Sequence, residues 1–373
     1  MAKIRGLAIS DLHFGNKRTE EMYSELQLVK DYLNNNHVDI LNINGDYFDR
    51  KLVATEPAIF FAVNFFSELV EICKRKNIKI RVIQGTRSHE LNQLTTMFQH
   101  YLSDKDLDMK IFLEITEEDL LGLKVLYVPE EYPEDSVEYY KEYKTRHYNI
   151  MHGHGTWDFV HFAVNLETEE EKKGVHSAPV FVYDEWANAI SGGLAIFGHI
   201  HKEQAYKNVF YGGNFSAYGY GDRSRKGFNV YEIDSETGAW TIEYHENTRS
   251  PKYDVISVKD LFKAQDLSTI SLEDLKIIFN EQVSKTDNLR IDLAGLSEDK
   301  IKIFKEMYKE NNKVKIEVKQ KKAFLKEETE PAIYDKYGYI LKRELPLDET
   351  VKRFVKEEYD TELSLEKIKD FIK

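Results

Sequence analysis

A chain of 373 residues with 42% hydrophobic and 31% charged positions, 23 tyrosines and 21 phenylalanines has enough apolar and aromatic mass for two or three packed domains, which excludes a disordered chain. A single cysteine, Cys73, excludes a disulfide framework within the chain and a thiolate zinc site. The net charge of −13 argues against a surface that binds nucleic acid throughout, although a basic groove fits within an acidic protein.

The opening "MAKIRGLAISDLH" runs straight into a strand without an apolar leader, and no run reaches the ~18 apolar residues of a membrane span. A cytoplasmic, membrane-free protein is expected. Residues 3–9, "KIRGLAI", read as a strand ending at "SDLHFG"; 20–35 as an amphipathic helix; "HVDILNI" as a second strand ending at "NGDYFDR". Residues 56–76 have proline in the first turn and a basic end, which predicts a long helix. "IKIRVIQG" is a third strand, ending at "TRSHE". Six or seven residues of strand-like apolar pattern then recur at 123–129, 148–153, 194–199, 208–213, 227–233 and 239–245, which predicts a second sheet, interrupted by a charged stretch across 154–193. From about 251 the pattern becomes helix, strand, helix, strand to about 325, a small α+β module, and two short helical patterns follow in the tail.

The polar residues at the strand ends carry the chemistry. Strand one gives Asp11 and His13, strand two Asp46 and Asp49, strand three His89, and later strands His152 and the pair His199 and His201. Any one Asp-x-His or Gly-Asp pair is usually a loop residue or a cap. The ordered set, each member directly after an apolar strand, is unlike chance, because strand ends converge on one rim of an α/β sheet. Aspartates mixed with histidines suit manganese, iron or zinc better than calcium or magnesium, which prefer oxygen alone. Seven such donors suffice for two ions sharing a carboxylate, an arrangement that clamps a phosphoryl oxygen and activates water.

With these residues in view, "DLH", "GDYFD", "IMHG" and "GHIH" resemble the motifs of calcineurin-like metallophosphoesterases. The resemblance covers about 1–245. It implies an α/β (α+β) fold: a two-sheet β-sandwich flanked by helices with a dimetal centre at its edge. Carried over, Asp11, His13 and His201 hold one ion, His152 and His199 the other, and Asp46 bridges, with His154 as the alternative to His152. Asp49 and Glu90 fall around these ligands. Two divalent ions are implied, manganese foremost, with magnesium, iron or zinc as alternatives.

Within that superfamily the chain is similar to SbcD-type DNA double-strand-break repair nucleases of bacteria and phage. "FYGGNFSAYGYGDRSRKGFNVYEI" resembles that group's stretch after the Gly-His-x-His motif, and 251–325 its small capping domain. The implied division is 1–250 nuclease, 251–328 capping and DNA contact, and 329–373 a linker and C-terminal helices that bind an SMC-like, SbcC-type ATPase. The implied location is the cytoplasm of a bacterium, or of a phage's host. Arg223, Arg225 and Lys226 cluster in one loop, and lysines crowd Lys300 to Lys326; either group can neutralise phosphates or lie solvated against glutamates. The apolar helix "AIFFAVNFF" and the segment after His89 suit a homodimer or core packing equally.

The implied reaction is hydrolysis of a DNA phosphodiester, with His89 serving the leaving oxygen as catalytic residue. The family's Gly-Asn-His pattern is departed from. Here Gly85 is followed by Thr86, Arg87 and Ser88 before His89, so the amide ligand is missing. Thr86 and Ser88 are candidate replacement ligands, Arg87 a candidate phosphate contact, and a weakened second metal site is expected because a hydroxyl is a poorer donor than an amide oxygen. The rival readings are a phosphatase or cyclic-nucleotide phosphodiesterase on the same scaffold, and a catalytically weakened DNA-end-binding subunit.

Overall fold

The computed structural model describes residues 3–90, 92–160, 180–220, 222–262 and 270–318. The tail beyond 318, with the expected ATPase-binding segment, and residues 161–179 of the charged stretch lie outside them. In chain order the strands are β1 (Lys3–Ile9), β2 (Ile40–Asn44), β3 (Lys79–Ile83), β4 (Met109–Phe112), β5 (Thr116–Leu120), β6 (Leu123–Val128), β7 (Ile150–His154), β8 (Thr156–Trp157), β9 (Val180–Phe181), β10 (Leu194–Gly198), β11 (Gln204–Tyr206), β12 (Val209–Tyr211), β13 (Gly227–Asp234), β14 (Trp240–Glu246), β15 (Tyr253–Ser257), β16 (Asn288–Asp292) and β17 (Val314–Glu317).

Two six-stranded mixed sheets face each other, ordered β14-β13-β1-β2-β3-β4 and β11-β12-β10-β7-β6-β5. Strands β1 to β4 run parallel, as do β6, β7, β10 and β12. Their carboxyl ends therefore share an edge. Side-chain alternation builds the layers. Ile4 and Ala8 of β1, Val125 and Tyr127 of β6, and Leu194 and Ile196 of β10 fill the space between the sheets. Leu7 and Ile9 point the other way, onto helices Gln27–Asn35 and Pro57–Lys76. Leu126, Met151 and Phe197 pack outward on the second sheet against Trp157 and Trp186. This is the expected two-sheet α/β architecture flanked by helices. Residues 20–35, expected as one helix, form two, Thr19–Glu25 and Gln27–Asn35, broken at Leu26. Helix Pro57–Lys76 ends as its basic last turn and a left-handed Asn77 dictate. Strand β5 escapes the sequence pattern because "TEEDL" pairs at an edge with its charged face in solvent. A separate parallel sheet, β15-β16-β17, carries its own core around Phe279, Leu289, Ile291 and Phe304. Among the described residues no helix is long and apolar enough to cross a membrane. Cys73 is buried, and burial pushes its thiol up to about 12.

Away from the carboxyl edge, Arg81 of β3 is 1% exposed and ties the sheets together. Its Nε and Nη2 donate to Glu118 at 2.7 and 2.8 Å, and Nη1 pairs with Asp108 at 2.8 Å. Removing one partner of such a pair leaves the other charge desolvated. Arg81→Met is expected to destabilise the fold by about 3 kcal/mol in urea unfolding at pH 7. Burial opposes ionisation of Glu118, but Arg81 and Lys110 hold its carboxyl below the usual value. The contribution is thus in place above the ordinary glutamate pKa and is lost as pH falls through the lowered one. The gap between wild type and variant should narrow in acid; an undiminished gap there would contradict this.

Candidate metal centre at the carboxyl edge

The loops after the parallel strands meet at one rim. Backbone N–H groups of Asp11, His13 and Phe14 donate to the carbonyls of Gly45, Asp46 and Tyr47 at 3.1, 3.0 and 2.9 Å, so the loops after β1 and β2 pair as a short ladder. The carboxylate of Asp11 accepts the backbone N–H of His199 at 3.0 Å, joining the two sheets. The Tyr218 hydroxyl donates to the carbonyl of Asp11 at 2.6 Å. Glu90 accepts from the N–H groups of Tyr47 at 2.7 Å and Gly85 at 2.6 Å, which pins the loop after β2 to the one after β3. Burial raises the Glu90 carboxyl to about 8, with Asp46 adding to the rise. Asp11, His13, Asp46 and His199 all have positive φ, at 54°, 50°, 50° and 91°, although none is glycine. Such backbone costs of order 1–3 kcal/mol each and persists where surrounding structure imposes it for a task. Gly45 and Gly85 allow the closest approach: a Cβ on Gly45 would sit 2.2 Å from the His154 ring, and one on Gly85 2.1 Å from the Asp46 nitrogen.

Three sets of side chains converge there with ligand atoms within 4.8 Å of one another: Asp11, His13 and His201; His13, Asp46 and His89; Asp46, His154 and His199. His13 Nε2 faces His201 Nε2 at 2.9 Å and lies 3.8 Å from Asp46 Oδ2. Asp46 Oδ2 is 3.1 Å from His89 Nδ1 and 3.4 Å from His154 Nε2, while Oδ1 accepts the Thr86 N–H at 2.6 Å. Ring nitrogens and carboxylates aimed at shared points are what a pair of borderline divalent cations requires, so the donors present fit that group. Burial opposes it, yet His154 and His89 hold the Asp46 carboxyl well below the usual range. Burial lowers His13 to about 4 against the pull of Asp46 and Asp11. Burial also opposes charge on His154, but Asp46, Asp11 and Glu130 carry it up to about 10. His89 is raised, first by its hydrogen bond to Asp46.

Of the residues singled out in the sequence, Asp11, His13, Asp46, His89, His199 and His201 meet at the rim. His152 does not. It shares the inward face of β7 with His154 but lies two residues back, between the sheets. There its Nδ1 is 3.2 Å from Asn44 Nδ2 and its Nε2 3.2 Å from the Tyr231 hydroxyl, and burial lowers it to about 3. His154, at the strand's last position, takes the rim place. Asp49 Oδ1 stands 3.4 Å from His13 Nδ1, on the ring edge opposite the cluster. Thr86 is in the cluster, its hydroxyl 3.1 Å from Asp46 Oδ2; Ser88 is exposed on the short helix Arg87–Glu90, outside all three sets, and Arg87 is exposed beside it. Arg223 and Arg225 are half-exposed, paired with Asp254 at 3.7 Å and Glu203 at 2.6 Å. Lys226, expected at a DNA surface, is instead buried: its ammonium donates to the His201 carbonyl at 2.8 Å and to Asn214, so it braces the loop that carries His201.

Sequence reasoning missed Glu130. It follows β6 by two residues, as Asp11 follows β1 and Asp46 follows β2, so the strand-end rule would have found it. Its Oε2 is 3.1 Å from His199 Nδ1.

Among solved structures, GAP50, "the anchor in the inner membrane complex of Plasmodium", is 13% identical, covering 68% of this chain and 92% of that one with a TM-score of 0.39. A second solved structure is 13% identical, covering 65% and 99%, with a TM-score of 0.35. No curated protein sequence matches. The family model for calcineurin-like phosphoesterases matches residues 4–203, more than half of the chain and every strand end that builds the rim. The chain belongs to the calcineurin-like phosphoesterase family, whose chemistry is metal-dependent hydrolysis of phosphoesters.

Proposed function

We propose that this protein is a DNA nuclease that hydrolyses phosphodiesters at DNA ends in repair or recombination. The observation that carries the reading is the geometry of the rim. Its carboxylates are buried, while the side chains of His89, His199 and His201 are 32%, 32% and 40% exposed, so among the described residues the reacting edge is open to solvent. A polymer backbone reaches such an edge. In support, a cleft of about 400 Å³ between the phosphoesterase core and the β15–β17 module is lined by Arg223, Arg225, Lys226, Lys252 and Lys285 against Asp222, Glu246 and Asp254, an excess of cations suited to phosphates whatever the base sequence.

In this reading Asp11, His13 and His201 hold one divalent ion and His154 and His199 the other, with Asp46 between them; His152 drops out of the set. When bound, the two ions, manganese foremost, supply Lewis-acid activation of water and of a phosphoryl oxygen. His89 Nδ1 faces Asp46 Oδ2, a contact that raises the histidine's pKa; in this reading the ring acts as an imidazolium, keeps its Nδ1 proton toward Asp46 and gives its Nε2 proton to the departing oxygen. In the same reading Arg87, exposed on the short helix Arg87–Glu90, meets a phosphate. The division at 250 and 328, a homodimer through the helices around Phe60, which is 62% exposed, and an SMC-like ATPase partner bound by the tail belong to the same proposal.

With manganese, wild type is expected to cut linear double- or single-stranded DNA, alone or with its ATPase, and to do so better than it cleaves p-nitrophenyl phosphate. His89→Ala should lose about a hundredfold or more in kcat. A preference for the monoester would favour the phosphatase, and a chain that binds DNA ends without cutting would favour the end-binding subunit; either overturns the nuclease reading.

A further inference from the structure

One buried carboxylate at the rim has no part in the reading above. Glu130 is 5% exposed. Its Oε1 accepts the Tyr132 hydroxyl. Its Oε2 is turned into the cluster, 3.1 Å from His199 Nδ1, 3.8 Å from His154 Nε2 and 3.2 Å from the Thr86 hydroxyl. Among the described residues its ion-pair neighbours are those two histidines, and no lysine or arginine. A desolvated carboxylate is costly unless a cation and hydrogen bonds compensate it. A second such carboxylate, Asp46, lies 3.4 Å from the same His154 nitrogen. Asp46, His154 and His199 form one ligand set, and Glu130, from a fourth strand end, lies against both of its histidines. Between the carboxylates stands the Thr86 hydroxyl, 3.1 Å from Asp46 Oδ2 and 3.2 Å from Glu130 Oε2. Its one proton can serve either oxygen, so Thr86 reads as a spacer between ligands.

We propose that Glu130 is the fourth ligand of the cation held by Asp46, His154 and His199. This rests on the metal-centre reading. The second site is then completed by a carboxylate from the end of β6, not by a hydroxyl from Thr86 or Ser88. It reverses the expectation of a weakened site: an anionic oxygen binds a divalent cation more strongly than a neutral one and favours harder metals such as Mn²⁺. Tyr132 acts as a positioning residue that fixes the carboxylate's rotamer.

The test is Mn²⁺ binding to the full-length chain, followed by electron paramagnetic resonance of the free ion. Wild type should take up two ions. Glu130→Gln, of the same shape, should weaken one by about tenfold to a hundredfold, and Glu130→Ala should leave one ion bound, its retention reporting an intact fold. Thr86→Val should keep both. If Glu130→Ala loses both ions, Glu130→Gln decides. Two ions in wild type with unchanged affinities in Glu130→Gln would overturn this assignment alone. A wild-type chain that binds no Mn²⁺ would overturn the metal centre and this ligand together.

Discussion

Asp46→Ala is expected to abolish hydrolysis, lowering kcat/KM on the preferred phosphoester by a thousandfold or more, about 4 kcal/mol of transition-state stabilisation. The reason is geometric. Asp46 is the one residue common to the His89 and His154 sets, and its Oδ2 has His13, His89 and His154 within 3.8 Å. Removing it takes away the shared carboxylate and leaves a group of imidazoles without the charge that organises them. Asp46→Asn separates shape from charge: the Thr86 N–H still finds an oxygen, yet one oxygen facing the histidines becomes an amide nitrogen. Both variants should fail in the same manganese-supplemented assay while melting near the wild-type temperature. Activity within tenfold of wild type in Asp46→Ala would mean the chemistry lies elsewhere.

The second large effect separates two histidines of one strand. His154→Ala should lower turnover by about a hundredfold to a thousandfold. His152→Phe should leave metal uptake unchanged and cost only about 1–2 kcal/mol of stability, the scale of lost buried hydrogen bonds. Both of its partners keep another bond: the Tyr231 hydroxyl to Asn42 at 2.9 Å, and Asn44 Nδ2 to the Ile196 carbonyl at 3.0 Å. The measurement is paired, with activity and thermal melting on each variant. Loss of activity in His152→Phe with His154→Ala still active would restore His152 to the rim.

That pair also marks where sequence reading stops. Most strands of the two large sheets and the convergence of their ends followed from apolar runs capped by polar residues. Asp11, His13, Asp46, His89, His199 and His201 were accordingly found together. Choosing between His152 and His154 needed something the pattern lacks, because both share a parity on β7 and only the strand's last residue shows which one reaches the edge. Thr86 and Ser88 differ likewise through a short helix, Arg87–Glu90, that turns Ser88 outward. Lys226 looked like a phosphate contact in a basic loop, yet its bonds to His201 and Asn214 are long-range pairings that no local signal announces. Glu130 was overlooked because glutamates are common at surfaces, although its offset from β6 repeats that of Asp11 and Asp46.

The most direct measurement is anomalous scattering from a crystal grown with MnCl₂. Two manganese peaks are predicted on either side of the Asp46 carboxylate, one against Asp11, His13 and His201, the other against His154 and His199. No peak at Asp46, or one bound to His152 between the sheets, would contradict the account.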